Sequence, residues 1–181
     1  MELLRQRLNK GVTVENIRQA LYAATGKGAR KLLKEQATIY EKITLSNEII
    51  PDECIDLIVE ILSTDELFSK PGIDVFFLKA STDMYRLSEI HKQRLLVTIC
   101  ENYSKYTNIE MCWQLGDMIA RAYEPATAIK VFQRLFASAT DQGKEGIVLG
   151  LDIIARQSKR DTKIMREIDA IIKPDTSSPK S

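Results

Sequence analysis

Three observations in this 181-residue chain predict an all-α fold. Apolar residues recur at intervals of three and four, the period of a helix with one buried face. Glycine and proline number only eight and five, and they fall where such helices should end. Candidate helix pairs begin near residues 51, 88, 124 and 161, in steps of 37, 36 and 37, the regular advance of stacked antiparallel helix pairs. The expected architecture is a short α-solenoid, with an irregular helical bundle as the alternative. Residues 1–172 are expected to form one helical domain, with basic N-terminal helices over 1–46, helix-pair repeats over 51–172 and a disordered tail over 173–181.

The elements follow in order. A short helix over 2–9 stops at Asn9-Lys10-Gly11. Thr13 is placed to cap a helix running to Ala24 whose inner face carries Ile17, Ala20 and Leu21. The turn Thr25-Gly26-Lys27-Gly28 opens a longer helix to Ser46 with Leu32, Leu33, Ala37, Tyr40 and Ile43 along one side. Pro51, followed by Asp52 and Glu53, starts a helix that is apolar nearly all round and must therefore be central, since proline fits the first turn and acids favour the positive end of the dipole. Its partner is Ile73 to Leu87, in which Val75-Phe76-Phe77-Leu78 also reads as a buried strand with nothing to pair with. Ser88 caps a helix through Tyr103 that is expected to be apolar over most of its circumference. Four more helices are expected over 108–122, 125–139, 144–157 and 161–172.

Composition bounds the function. No run of about 18 uncharged apolar residues exists to span a membrane. The charged N-terminus lacks the apolar core of a secretory signal, so a cytoplasmic protein is expected. Cys54, Cys100 and Cys112 are widely spaced beside a single histidine, His91, a set too thin for a zinc site, so reduced core thiols and no metal or other cofactor are expected. Net charge is +1, unevenly distributed. Residues 1–34 carry eight basic against two acidic residues, whereas residues 35–90 carry four against twelve. The two segments are expected to face each other, or the basic one to meet an acidic partner.

The segment Cys112 to Thr140 resembles a tetratricopeptide repeat. Cys112, Leu115, Gly116 and Ile119 stand at the spacing of that family's first-helix positions, and Ala128, Phe132 and Leu135 at those of its second helix. Gly116 and Ala128 permit close helix approach, and Phe132 fills the gap between pairs. Two positions depart from the pattern: Thr140 replaces a proline, and Cys112 stands where a large residue is usual. The next pair keeps Leu149, Gly150 and Ile153 at the same offsets, while the others diverge, so a HEAT-like or irregular arrangement is equally compatible. The resemblance implies a ligand-facing stripe on the first helix, which here falls on Glu110, Trp113, Asp117 and Arg121. That stripe holds the only tryptophan, flanked by both signs of charge, and suits peptide contact. Alternatively, Trp113 packs beneath a neighbouring helix and the charges form a solvated face.

No constellation for chemistry stands out. Gly26-Lys27-Gly28 lacks the other elements of a phosphate-binding loop. His91, between Glu89 and Lys92, has no recognisable nucleophile motif nearby. The expected function is therefore non-enzymatic: a module that binds a protein or peptide, as an adaptor, chaperone or inhibitor-type partner. The alternative is a nucleic-acid binder using Arg18, Lys27, Arg30, Lys31 and Lys34, because Thr13 to Glu35 has the outline of a helix-turn-helix. The last helix carries Ile164, Met165, Ile168, Ile171 and Ile172 on one stripe, which closes the end of the stack or, covered by a second copy, makes a homodimer.

Overall fold

The computed structural model describes residues 13–81 and 86–173. These residues form α-helices and 3₁₀ turns and no strand, so the fold is all-α. The expected first helix over 2–9 and the tail from Pro174 lie outside the described residues. Ten α-helices are described: α1 (Val14–Ala23), α2 (Ala29–Leu45), α3 (Asp52–Ser63), α4 (Asp65–Phe68), α5 (Ile73–Ser81), α6 (Glu89–Asn102), α7 (Ile109–Ala122), α8 (Pro125–Phe136), α9 (Asp141–Gln157) and α10 (Thr162–Ile172). The helices at Asp52, Glu89, Pro125 and Thr162 begin one residue after the positions read from the sequence. The chain divides into two compact units at Ile99–Cys100, within α6.

In the first unit the Thr13 hydroxyl accepts from the Asn16 N–H at 3.2 Å and caps α1, while Ile17 and Leu21 face the core. The segment Val75 to Leu78 is helical, within α5, so the strand reading is set aside. α3 is central as its composition demands. Cys54, Ile55, Leu57, Ile58, Ile61 and Leu62 are all buried. Its Glu60 accepts from Arg18 of α1 at 2.7 Å and from the Tyr22 hydroxyl at 2.9 Å. Asp52 and Asp56 meet His91 and Arg94 of α6 at 2.8 Å and 2.6 Å. The Tyr40 hydroxyl of α2 donates to the Cys54 carbonyl at 3.1 Å.

α2 packs on α5, three helices further along the chain because the short α4 intervenes, and runs parallel to it. Arg30 lies near Asp74, Tyr40 stacks edge-on against Phe76 at 5.4 Å, and Glu41 accepts from Lys79 at 2.7 Å. Gly72, at φ +88°, lets the turn before α5 pass Arg30, whose Cα would stand 3.2 Å from a Cβ there. Two helices of this unit end on a distant cation. The Lys70 ammonium donates to the Leu21 and Tyr22 carbonyls at the end of α1, each at 2.7 Å. Arg86 does the same for α2 through the carbonyls of Thr44 and Asn47. Such bonds satisfy carbonyls that a helix cannot satisfy itself and place positive charge at the negative end of its dipole. α6 is less buried than its composition suggested, with Leu95 and Ile99 inside but Ile90 and Val97 exposed.

In the second unit α7 packs most closely on α9, the next helix but one, with α8 and α10 completing the core. α9 starts at Asp141, three residues earlier than expected. Thr140 is its cap: the hydroxyl accepts from the Gly143 N–H at 3.0 Å and donates to the Tyr106 carbonyl. Gly143 leaves room for Tyr103, whose ring carbon would lie 3.0 Å from a Cβ there and whose hydroxyl donates to the Gly143 carbonyl at 2.9 Å. Burial pushes that hydroxyl's pKa up. The stripe on α10 is turned inward through Ile168 and Ile171 against α8 and α9, with Ile172 left exposed.

Candidate functional site

The seam between α7 and α9 is made of small residues. A Cβ on Gly116 would overlap the Gly146 carbonyl oxygen, one on Gly146 the Cys112 carbonyl oxygen, and one on Gly150 the Phe132 ring and, at 2.8 Å, the Gly116 carbonyl oxygen. The two backbones are therefore in direct contact, with no room for a side chain between them at these positions. Cys112 and Gly116 meet Gly146 and Gly150 in ascending order, so the helices run parallel. Phe132 of α8 closes the seam from one side.

Each residue along a helix turns by about 100°. In a parallel pair, the residue after a seam position on one helix and the residue before a seam position on the other turn toward the same side. Trp113 follows Cys112 and Leu149 precedes Gly150; Asp117 follows Gly116 and Glu145 precedes Gly146. These four side chains share one face, on the side of the seam opposite Phe132. Trp113 is 40% exposed and Leu149 37% exposed. Glu110 lies three residues before Trp113 and is exposed.

The charges on this face are ordered. Arg121 Nε donates to Asp117 Oδ1 at 2.7 Å, and on α9 the Arg156 guanidinium meets Asp152 Oδ2 at 2.6 Å. Glu110 and Glu145 hold no ion pair among the described residues. The face therefore carries an uncompensated charge of −2 beside an exposed apolar centre. The residues expected to face a partner, Glu110, Trp113, Asp117 and Arg121, all lie on α7; Trp113 and Asp117 turn toward the side shared with α9, and Arg121 is held to Asp117. Sequence reasoning missed Leu149, Glu145, Asp152 and Arg156. The offset of Leu149 and Gly150 from Leu115 and Gly116 was the available signal, but it needed the parallel seam to acquire a direction.

The alternative basic set is divided. Lys27, Arg30, Lys31 and Lys34 are exposed around the start of α2 at helical spacing. Arg18 is not among them: it pairs with Glu15 and with Glu60, and the hydrogen bond to Glu60 raises its pKa above the ordinary value. Arg30 is half committed, with Asp74 Oδ2 at 3.6 Å.

His91 Nε2 lies 2.8 Å from Asp52 Oδ1, its Nδ1 is buried without a hydrogen bond, and its backbone N–H donates to the Ser88 hydroxyl. The buried thiols of Cys54 and Cys112 are pushed up to about 12 by burial, which suppresses the nucleophilic thiolate, and Cys100 is raised for the same reason. Among the described residues no three His, Cys, Asp or Glu side chains are grouped to hold a metal ion, and no helix is long and apolar enough to cross a membrane. Comparison of the chain with protein-family models, with curated proteins and with solved structures gives no match.

Proposed function

We propose that this chain is a non-enzymatic, cytoplasmic binding module that holds a protein or peptide on the face shared by α7 and α9, acting as an adaptor, chaperone or inhibitor-type partner. One observation carries this reading: Trp113 and Leu149 stand exposed on the same face of a closely packed parallel helix pair, fringed by ordered charges. A rigid support matters because an anchor that need not be ordered on binding loses less entropy. Covering the remaining ~100 Å² of a tryptophan contributes about 2.5 kcal/mol, enough to make it a principal contact. The helix-pair advance and the tetratricopeptide-like spacing of Cys112 to Thr140 are consistent with such a role.

Capture from native lysate tests it. Trp113→Ala with Leu149→Ala should remove the captured partner while helical signal and unfolding midpoint stay near those of the parent. Undiminished capture by the folded double variant overturns the assignment. A second reading, nucleic-acid binding, retains Lys27, Arg30, Lys31 and Lys34 because they form one exposed stripe. It requires binding that weakens steeply with salt, and it fails if neither duplex nor single strand binds at low salt.

A further inference from the structure

We infer that the segment held on the α7/α9 face is a basic amphipathic peptide, with an apolar side chain against Trp113 and Leu149 and cations opposite Glu110 and Glu145. This rests on the protein-binding reading above and adds the chemistry of the partner. The argument is charge complementarity. Both arginines on the face are already held by aspartates one helical turn away, Arg121 by Asp117 and Arg156 by Asp152. What remains to attract a partner is Glu110 on α7 and Glu145 on α9, exposed acids on the two helices that flank the apolar centre.

An acidic segment would meet two unscreened carboxylates there, and each arginine would have to leave its own pair to compensate. A basic one meets carboxylates with no protein cation to displace. Like-charge placement selects against wrong partners as much as opposite charge recruits the right one. The chain's net charge of +1 sharpens the point, since a basic peptide is drawn to this face and not to the protein at large.

The sole tryptophan is in the site, so its emission reports occupancy directly. Two fluorescein-labelled 14-residue peptides, matching the length of α7, serve as probes: one of leucine and lysine at helical spacing, the other with glutamate replacing each lysine. The leucine–lysine peptide should shift Trp113 emission and bind at least about tenfold more tightly by anisotropy, the equivalent of one well-placed charge contact. Glu110→Lys with Glu145→Lys should reverse the preference, whereas Glu35→Lys, an exposed acid in the first unit, should leave it unchanged. Trp113→Ala with Leu149→Ala should abolish binding of the labelled peptide. Equal binding of both peptides, no binding of either, or an unchanged preference in the Glu110/Glu145 variant overturns the inference. Should the lysate partner be lost with Trp113 and Leu149 but retained on charge reversal, the binding face stands and its basic preference falls.

Discussion

Gly116 and Gly146 meet backbone to backbone, with the Gly146 carbonyl oxygen occupying the place where a Cβ on Gly116 would stand. The face that carries Trp113 and Leu149 exists only because these two positions have no side chain. Anything larger would push α9 away from α7 and separate the two apolar residues.

Gly146→Ala is therefore expected to destabilise the second unit, against the usual trend. Alanine in an exposed helix interior is favoured over glycine by about 1 kcal/mol. Here the new methyl would overlap the Cys112 carbonyl oxygen, a backbone atom that cannot rotate away. Overpacking against a backbone atom falls toward the upper end of the roughly 1–3 kcal/mol such changes cost, so the net effect should be a loss of about 1–2 kcal/mol. Urea unfolding checks it, together with Trp113 emission, which should move as the seam opens. A variant as stable as the parent would mean that the helices do not approach this closely.

Lys70→Met should loosen the end of α1. The Lys70 side chain is buried, reaches two carbonyls and lies 6.0 Å from the centre of the Tyr22 ring. α1 has no basic residue in its own last turn, so this distant lysine supplies the charge that the dipole favours. Methionine fills similar space but leaves the Leu21 and Tyr22 carbonyls without the ammonium. The expected loss is about 1.5–3 kcal/mol, the range for hydrogen bonds to a charged group. Hydrogen exchange should quicken first at the α1 amides. Unchanged protection there would show that the ammonium contributes nothing to this helix.

The sequence revealed local features more fully than remote ones, and the divide is physical. Helix starts at Val14, Asp52, Glu89 and Thr162 were legible because caps and first-turn residues act within three or four positions. The start of α9 was not, because Gly143 and Gly146 lower helix propensity and their reason for being there is contact with Tyr103 and Cys112, some 34 to 40 residues away. The α7 half of the candidate site came from what the tetratricopeptide resemblance implies, laid out by helical period. Its α9 half required knowing that helices two apart pack in parallel. Arg18 reads as a free cation in the sequence because nothing near it announces Glu60, 42 residues on. Lys70 was invisible for the same reason.

The cysteines give a prediction in pH. Cys54 and Cys112 are fully buried and their pKa values rise from 9.0 to about 12. In the unfolded chain both would ionise near the ordinary value, so between about pH 9 and pH 12 the unfolded state binds fewer protons than the folded one. Stability is then fully present below pH 9 and falls as pH rises through this window, by about 1.4 kcal/mol per pH unit for each thiol. Cys112→Ala should make the alkaline decline shallower by about that slope, after allowance for its effect at neutral pH. Alkylation provides a second readout. At pH 8 a thiolate-directed reagent should leave Cys54 and Cys112 unmodified in the native protein and label both once urea unfolds it, because burial withholds access and the thiolate together. Rapid labelling of Cys112 in the native state would require the α7/α9 seam to open readily, and would contradict the rigid support on which the binding face depends.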